Sequence, residues 1–424
     1  MKLPPRNSRY TVVAMTIAGL VGVLLSVFGP TTQAEAATGL RVSNGRLYEA
    51  NGNEFVMRGV NHAHAWYPDR TGSIADIAAK GANTVRIVLS SGDRWTRTST
   101  SEVSSLIDRC KAARLICVLE VHDTTGFGED SAAASLDKAA DYWISIKSAL
   151  TGQENYVVVN IGNEPFGNTG HSAWTGATKN AISKLRTAGL HHALMVDAPN
   201  WGQDWSNTMR DNAASVFDSD PDRNTVFSIH MYGVYDTAAE VQGYLNHFVG
   251  NRLPIVVGEF GDQHSDGNPD EDAIMATARS LRVGYLGWSW SGNGGGVEYL
   301  DMVNGFDAGS FTRWGNRLFN GSNGISTTSE RATVYGGVNG NDGTAPNGYP
   351  YCASGSSDPD GDGWGWESSR SCVVRGSAAD AAGNGGTAPN GYPYCASGSS
   401  DPDGDGWGWE SSRSCVVRGS AADA

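Results

Sequence analysis

The sequence predicts an α/β protein: a (β/α)8 TIM barrel, followed by a linker and two small β-rich modules that are each stapled by a disulfide. Eight short runs of β-branched and apolar residues recur along the chain, and segments of helical periodicity fill the gaps between them. Such alternation is typical of a parallel sheet, and eight units in about 280 residues fit a closed barrel. Near the C-terminus, residues 343–381 recur unchanged as residues 386–424.

The barrel is predicted to begin with a hairpin in residues 41–54, since Asn44-Gly45 and Asn51-Gly52 are typical hairpin turns. We expect this hairpin to cover one end of the domain. The eight strands are predicted at Phe55–Asn61, Thr84–Leu89, Ile116–His122, Tyr156–Asn163, Ala193–Asp197, Val226–His230, Ile255–Glu259 and Tyr285–Trp290.

Helices are predicted between these strands, and the segment Trp201–Asp222 is the least clear of the gaps. Ser73 is the expected cap of the first helix. Asn268 is the expected cap of the last one, with Pro269 in its first position and acidic residues in its first turn. The other helical segments are Ser101–Ala113, Ala132–Leu150, Ala173–Ala188 and Thr237–Val249.

An open, doubly wound sheet is the alternative fold. Such a sheet usually carries a glycine-rich phosphate-binding turn after its first strand. The corresponding segment here, Asn61–Trp66, contains no glycine, which favours the closed barrel.

The N-terminal segment has the form of a secretory signal peptide. Basic residues at Lys2, Arg6 and Arg9 precede an apolar stretch from Thr11 to Phe28, and an A-x-A cleavage signal follows at residues 34–36. We expect the mature chain to be secreted and to have no membrane segment after cleavage. A retained membrane anchor is the alternative, because the apolar stretch is long for a signal peptide.

The composition limits the classes of partner. The formal net charge is −14 and no run of basic residues occurs, which argues against nucleic acid. The 13 tryptophans are abundant, and flat indole rings either stack on sugars or fill the core.

The domain boundaries are predicted from the positions of the six cysteines and from the change in composition after residue 321. In an oxidising compartment, Cys352 is expected to pair with Cys372 and Cys395 with Cys415, whereas pairing of Cys110 with Cys117 is left open by their spacing. The predicted segments are a signal peptide (1–36), the barrel domain (37–321), a linker (322–342) and two modules (343–381 and 386–424).

Polar and aromatic residues stand where the predicted strands end, and in a parallel barrel these ends meet at one rim. Two of them, Glu164 and Glu259, are carboxylates at the ends of buried strands, which is costly unless they are paired or reactive. The others are Arg86, His122, Asp123, Asn163, His230, Tyr232, Trp288 and Trp290.

Two carboxylates across a barrel mouth suit cleavage of a glycosidic bond, in which one group protonates the leaving oxygen while the other remains ionised. A separation of about 5–5.5 Å predicts retention of anomeric configuration, and about 6.5–9.5 Å predicts inversion. The sequence alone does not give that distance.

The motif Asn163-Glu164-Pro165 together with Gly258-Glu259-Phe260-Gly261 resembles the clan A glycoside hydrolases, and within them family five. The resemblance covers about residues 40–320 and also includes Thr84–Arg86, Val121–Asp123, Ile229–Gly233 and Trp288–Trp290. The segments Asn61–Tyr67 and His230–Gly233 are most similar to the bacterial β-mannanases of that family.

This resemblance implies a retaining endo-β-1,4-mannanase in which Glu164 is the acid and then the base, and Glu259 is the nucleophile. Arg86 and Tyr232 would hold Glu259 ionised. Asn163 would bind the sugar 2-hydroxyl, His122 and His230 would line the central subsite, and Trp288 would be its stacking floor. The alternatives are an endo-β-1,4-glucanase of the same family and a polysaccharide-binding protein without catalysis.

The two repeats resemble carbohydrate-binding module family ten through Trp364–Cys372 and its copy Trp407–Cys415. Each unit has one cysteine pair where such modules often have two. The resemblance implies aromatic stacking on insoluble cellulose or mannan, and inert C-terminal stabilisers are the alternative. The expected binding faces consist of Tyr349, Tyr351, Trp364 and Trp366 in one module and of Tyr392, Tyr394, Trp407 and Trp409 in the other.

No cofactor is expected for catalysis, and the protein is expected to be a monomer. The cluster Asp270, Glu271 and Asp272 either complements a helix N-terminus or binds a structural calcium ion. The turn Asp358–Gly363 resembles the start of a calcium loop, but Ser369 stands where an EF-hand requires glutamate, so we interpret it as an acidic turn.

Overall fold

A computed structural model describes residues 39–336 and, in the C-terminal region, residues 349, 363–367, 370–374, 395, 405–410, 413–417 and 420. The predicted signal peptide lies outside these residues, as do Tyr351, Cys352, Tyr392 and Tyr394. Among the helices described, none has the length and apolar character needed to cross a membrane.

The chain enters the domain through an antiparallel hairpin of β1 (Arg41–Ser43) and β2 (Arg46–Tyr48), which turns at Asn44-Gly45 as the sequence predicts. Eight parallel strands follow and close into a barrel, in which the last strand pairs with both the first and the seventh. They are β3 (Arg58–His62), β4 (Thr84–Leu89), β5 (Ile116–Val121), β6 (Val157–Asn160), β7 (Ala193–Asp197), β8 (Thr225–Met231), β9 (Ile255–Phe260) and β10 (Gly284–Gly287). The predicted (β/α)8 fold is therefore confirmed.

The helices lie between the strands in sequence and bury one side against the sheet. Because the strands are buried along their whole length, side chains that point outward pack under the helices and side chains that point inward fill the barrel. The helices are α1 (Ser73–Ala79), α2 (Thr100–Ala112), α3 (Leu136–Ser145), α4 (Lys147–Leu150), α5 (Trp174–Thr187), α6 (Thr208–Ser219), α7 (Ala238–Gly250), α8 (Glu271–Leu281), α9 (Arg313–Asn320) and α10 (Ile325–Thr328).

Two predicted helix caps are wrong. Helix α1 begins at Ser73 itself, and the residue before it, Gly72, offers no side-chain cap. Helix α8 begins after Asp270 rather than at Pro269, because the Asp270 carboxylate accepts a hydrogen bond from the Ala273 amide at 2.9 Å. An acid in that position satisfies one of the free amides at the helix start.

The hairpin covers the N-terminal end of the barrel, as predicted. Leu47 on β2 packs with Phe55 and Met57 against inward-facing residues at the bottom of the strands, such as Val226 and Leu286. This apolar plug closes the N-terminal end of the barrel, and the polar residues at the strand ends lie at the opposite end.

The predicted linker at residues 322–342 is wrong in its first part, because the chain as far as residue 336 packs on the bottom of the barrel. Ala332 is fully buried in the plug. The buried carboxylate of Glu49 accepts hydrogen bonds from the amides of Thr333 and Val334 at 2.9 and 2.8 Å, and the Tyr335 hydroxyl donates to the Leu115 carbonyl at 2.7 Å. The barrel domain therefore extends about 15 residues beyond the composition change.

Each repeat contains a short antiparallel ribbon, formed by β11 (Trp364–Glu367) with β12 (Arg370–Val373) and by β13 (Trp407–Glu410) with β14 (Arg413–Val416). The predicted disulfide between Cys395 and Cys415 is present. Tyr349 meets Trp364 edge to face at 4.9 Å over the buried Val373, so these half-buried rings also build the small core of their module.

Cys110 on α2 and Cys117 on β5 are both buried free thiols, and their sulfurs lie 3.0 Å apart. Burial and the contact with Cys110 raise the pKa of the Cys117 thiol well above its ordinary value.

Candidate active site

The polar residues at the rim are organised around Arg86, which lies on β4 and is fully buried. Its guanidinium has five N–H groups, and each of them has an acceptor within 3.0 Å. The acceptors come from four other strands and from the loop after β6: Asn61 Oδ1, Asn160 Oδ1, Asn163 Oδ1, Asp197 Oδ2 and Glu259 Oε1.

This saturation explains how a charged side chain is tolerated at zero exposure. Burial alone would lower the pKa of Arg86, but Glu120, Asp197 and Glu259 outweigh burial and hold the pKa above its ordinary value. Arg86 is therefore a fixed cation at the floor of the site.

Glu259 receives a donor on each carboxylate oxygen. Arg86 Nη1 donates to Oε1 at 2.8 Å, and the Tyr232 hydroxyl donates to Oε2 at 3.0 Å. The side chain is 5% exposed. Burial raises the pKa of Glu259, whereas the neighbouring cations His230 and Arg86 oppose that rise. Because both oxygens accept hydrogen bonds, the surroundings are built for the carboxylate form.

A local irregularity in the sheet brings Glu259 level with His230. The register of β8 and β9 shifts between Ile229 and His230, so that Gly258 is the extra residue on β9. A Cβ atom at Gly258 would lie 2.1 Å from the Ser228 hydroxyl, which leaves room for glycine alone. The sequence Gly258-Glu259 thus aims the carboxylate into the rim.

Glu164 follows β6 and faces Glu259 across the site. Its backbone has a φ of 40°, which is uncommon for a residue with a side chain, and its amide donates to Asp197 Oδ2 at 3.3 Å. His230 Nδ1 lies 2.7 Å from Glu164 Oε1 and 3.5 Å from Glu259 Oε2. An oxygen of Glu164 and an oxygen of Glu259 lie within 4.8 Å of each other, which favours the shorter carboxyl separation of a retaining enzyme.

His230 carries the second positive charge of the site. Burial lowers the pKa of its imidazole, but Glu259 and Asp197, which lies 3.4 Å from Nε2, outweigh burial and raise the pKa to about 10. Burial alone would raise the pKa of Asp197, but Arg86 and His230 outweigh burial and lower it to about 2. Near neutral pH, His230 is therefore an imidazolium between the carboxylates of Glu259 and Asp197.

Aromatic rings around His122 form one wall of the site. The indole of Trp288 stacks on the His122 imidazole at 5.6 Å with an interplanar angle of 25°, and its Nε1 donates to Asn293 Oδ1 at 2.9 Å. Trp66 and Trp95 pack around the same imidazole at 5.0 and 5.7 Å. His122 Nδ1 lies 2.9 Å from Glu120 Oε1, and although burial lowers the pKa of His122, Glu120 raises it above its ordinary value.

The structure therefore brings together all eight residues that the sequence places at the catalytic and substrate-binding positions: Arg86, His122, Asn163, Glu164, His230, Tyr232, Glu259 and Trp288. It does not do so for two other strand-end residues. Trp290 is fully buried in the core, and Asp123 turns away to accept hydrogen bonds from the amides of Ser91 and Arg94.

Sequence reasoning missed the residues that hold Arg86 and the walls of the cleft. Asn61, Asn160 and Asp197 each end or nearly end a strand, and this position was the available signal. The tryptophans Trp66, Trp95, Trp201 and Trp205 lie in loops that no strand pattern covers.

Within the described part of the chain, one group of three possible metal ligands is close enough to hold an ion, namely Glu164, His230 and Glu259. A protonated imidazole cannot coordinate a metal, and Arg86 occupies an oxygen of Glu259, so this group does not fit a metal site.

The three acids proposed for calcium lie at the start of α8. Asp270 caps the helix, and Arg317 Nε donates to Asp272 Oδ1 at 2.8 Å. Glu271 is half-buried, and burial together with Asp272 and Asp262 raises its pKa. A calcium ion here stays a prediction.

Comparison with known proteins agrees with this geometry. Residues 48–294 match the family model described as cellulase (glycosyl hydrolase family 5), and residues 343–374 and 385–417 match the model described as a cellulose or protein binding domain. The chain is 75% identical over 384 residues to a mannan endo-1,4-β-mannosidase of Streptomyces lividans, which covers 88% of this chain and all of that relative.

A second mannan endo-1,4-β-mannosidase, from Cellvibrio japonicus, is 53% identical and covers 87% of this chain and 85% of that relative. The solved structure of a β-mannanase from Thermomonospora fusca superposes with a TM-score of 0.70 at 61% identity, covering 70% of this chain and all of the other. The chain belongs to glycosyl hydrolase family 5.

Proposed function

We propose that this protein is an endo-β-1,4-mannanase that hydrolyses internal bonds of mannan, glucomannan and galactomannan by a retaining double displacement. The observation that carries the proposal is the pair of carboxylates, Glu164 and Glu259, whose oxygens approach within 4.8 Å across the barrel mouth. The mannanase names of the close relatives support the choice of mannan as substrate.

In the first step, a Glu259 oxygen forms a bond to the anomeric carbon as the bond to the leaving oxygen breaks, and Glu164 gives that oxygen its proton. In the second step, Glu164 accepts a proton from a water molecule whose oxygen attacks the same carbon, and the bond to Glu259 breaks. Two inversions restore the original configuration, and Glu164 ends protonated again.

The neighbouring groups support these roles. Arg86 and Tyr232 donate to both oxygens of Glu259, which disfavours a proton on the nucleophile. His230 Nδ1 lies 2.7 Å from Glu164 Oε1 and 3.5 Å from Glu259 Oε2, so that one ring orients both glutamates. The Arg86 contact orients the Asn163 amide, whose Nδ2 donates to Thr125 Oγ1 at 2.8 Å and has a second hydrogen for the sugar 2-hydroxyl.

Trp288 and His122 form the proposed floor and wall for the sugar at the cleavage point. The stacked pair is polar at its edge and flat at its face, which suits a pyranose ring. Discrimination between mannan and cellulose depends on one axial hydroxyl, for which a few donors are worth about 1–3 kcal/mol each.

The test compares release of reducing ends from locust bean gum with release from carboxymethylcellulose. We expect activity on the galactomannan to exceed activity on the cellulose derivative, and the reverse order would favour an endoglucanase. Glu164→Gln and Glu259→Gln should each lower turnover at least about 1,000-fold, since each removes a group that acts in the bond-breaking step. Turnover within a few-fold of the parent enzyme would contradict the assignment.

We further propose that the enzyme is secreted as a monomer and that its two C-terminal modules bind insoluble cellulose or mannan. The match of both repeats to a binding-domain family supports this role. Two tethered weak sites would raise the overall affinity by effective concentration.

A structural calcium ion at the start of α8 is also proposed. Carboxylates are hard oxygen ligands of the kind calcium prefers. The proposed ligands are Asp270, Glu271 and Asp272, and the buried carboxylate of Asp262 adds negative charge close to Glu271. The ion would have a structural role and would take no part in the bond-breaking steps.

A further inference from the structure

A pocket of about 290 Å³ lies at the end of the barrel opposite the active site. It is bordered by the start of β3, the C-terminal end of α8 and residues 327–330. Phe55 of the apolar plug also lines it, which places the pocket at the bottom of the barrel. The charged residues in its lining are Glu54, Arg58, Arg279, Arg282 and Glu330.

Arg58 is the buried cation of this pocket. It is 2% exposed, and it donates to three neutral oxygens: Nε to Thr328 Oγ1 at 3.1 Å, and Nη1 to the carbonyls of Met57 and Val283 at 2.9 and 2.8 Å. Within the described part of the chain, no carboxylate lies within ion-pair distance of it. This differs from Arg86, whose buried charge is met by carboxylates.

The three hydrogen bonds of Arg58 involve Nε and Nη1, so the hydrogens of Nη2 have no acceptor among the residues that the structure describes. Nη2 is not fully enclosed, and Arg58 lines the pocket. A charged donor with free hydrogens is therefore held at the inner end of the pocket, with its other nitrogens fixed by the backbone.

Two further guanidinium groups surround Arg58. Burial lowers the pKa of Arg58 to about 10, and the charges of Arg279 and Arg282 add to that fall, whereas Tyr285 and Glu330 oppose it. Like charges at this distance destabilise one another unless an anion lies between them.

The acids of the pocket do not balance these cations. Glu54 is occupied by Arg282, whose Nη2 lies 3.1 Å from Oε2. Arg279 Nη1 donates to the amide oxygen of Asn323 at 2.9 Å and has no carboxylate within ion-pair distance among the described residues. Three arginines against Glu54 and Glu330 leave one positive charge in excess, in a chain whose formal net charge is −14.

The donors suit an anion with several oxygens. Guanidinium groups bind phosphate and carboxylate oxygens through paired N–H donors. The Ser329 hydroxyl also lines the pocket and has no hydrogen-bond partner among the described residues, so it offers a third kind of donor. The volume leaves room for an oxyanion that is carried on a sugar ring.

We propose that this pocket binds a small oxyanion, either inorganic phosphate or the carboxylate of an acidic sugar, between Arg58, Arg279 and the Ser329 hydroxyl. The bound anion joins the end of α8 to β3 and to residues 327–330. It thereby stabilises the C-terminal segment on the bottom of the barrel and does not contact the active site.

The test is isothermal titration calorimetry of the full chain at pH 7 and constant ionic strength, with inorganic phosphate and with glucuronate as separate probes. We expect at least one of them to bind at one site per chain, and the tighter of the two identifies the source of the oxyanion. Arg279→Gln removes an exposed donor and should weaken binding about tenfold or more. Glu330→Gln removes a like charge and should strengthen binding roughly threefold.

Arg223→Gln is the matched control, because Arg223 lies in an exposed ion pair with Asp218 and should leave binding unchanged. The bound anion should also raise the Tm of the parent enzyme by a few °C and that of Arg279→Gln by less. Absence of binding of both probes, equal affinity in the parent enzyme and Arg279→Gln, or an equal rise of Tm in these two proteins would overturn the inference.

Discussion

Replacement of Arg86 by lysine tests how far the site depends on a saturated guanidinium. Arg86 uses all five N–H groups, whereas a lysine ammonium keeps the charge but has three donors. At least two buried acceptors then lose their donor. Each such loss costs about 1–3 kcal/mol, so Arg86→Lys should lower the free energy of unfolding of the barrel by about 2–6 kcal/mol.

Thermal unfolding followed by circular dichroism measures the change in stability. A loss of 1 kcal/mol lowers the Tm of a domain of this size by about 2–4 °C, so we expect a fall of roughly 10 °C. Activity on galactomannan should fall about 100-fold or more, because the donor that positions Glu259 Oε1 is displaced.

Arg223→Lys is the matched control, since Arg223 forms an exposed ion pair with Asp218 and should lose little stability. An Arg86→Lys enzyme with the Tm and the kcat/KM of the parent would refute the view that the five-fold contact of the guanidinium organises the site.

Three further predictions follow from other parts of the structure. Because the pKa of His230 is raised from 6.5 to about 10 in the folded protein, its contribution to stability is complete below about pH 6.5 and is lost as the pH rises toward 10. The Tm of the parent enzyme should therefore fall more between pH 7 and pH 10 than the Tm of His230→Gln. An equal fall of Tm in the two proteins would contradict the charge assigned to His230. A chain that ends at Gly336 should keep the parent Tm and lose binding to insoluble cellulose or mannan, and undiminished binding would contradict the role of the modules. A chain that ends at Gly321 should lose about 2–4 kcal/mol of stability, because the contacts to Glu49 and Leu115 are removed. Equal Tm values for the two truncated chains would contradict the domain boundary. Removal of calcium by a chelator should lower the Tm of the parent enzyme by a few °C and should leave the Tm of Asp272→Asn unchanged. If the chelator did not change the Tm of the parent enzyme, the calcium proposal would be wrong.

The barrel could be predicted from the sequence because its signals are local. Buried parallel strands are continuous apolar runs, and β4 and β7 have the bounds that the sequence predicts. The position of the site at the rim could be predicted from the topology, because Glu164 and Glu259 each stand where a strand ends. Their separation could not be predicted, because it depends on the bulge at Gly258 and on barrel geometry.

The partners of Arg86 could not be predicted either. Asn61, Asn160 and Asp197 come from three strands spread over more than 130 residues, and no local pattern links them. Trp290 was misplaced because β10 ends at Gly287, after which strand alternation no longer sets the direction of a side chain. The predicted linker begins too early in the sequence. Residues 332–336 make their contacts largely through backbone amides, which the composition does not reveal.

The central claim is that Glu259 forms a covalent bond with the sugar. A mannobiosyl fluoride that carries fluorine in place of the 2-hydroxyl slows both displacement steps, and its fluoride leaves readily, so that the intermediate accumulates. Intact mass and peptide mapping then locate the bound disaccharide. We predict one disaccharide per chain, attached to the peptide that contains Glu259; attachment at another residue, or turnover of natural substrate in which the first product has the opposite anomeric configuration, would contradict the mechanism.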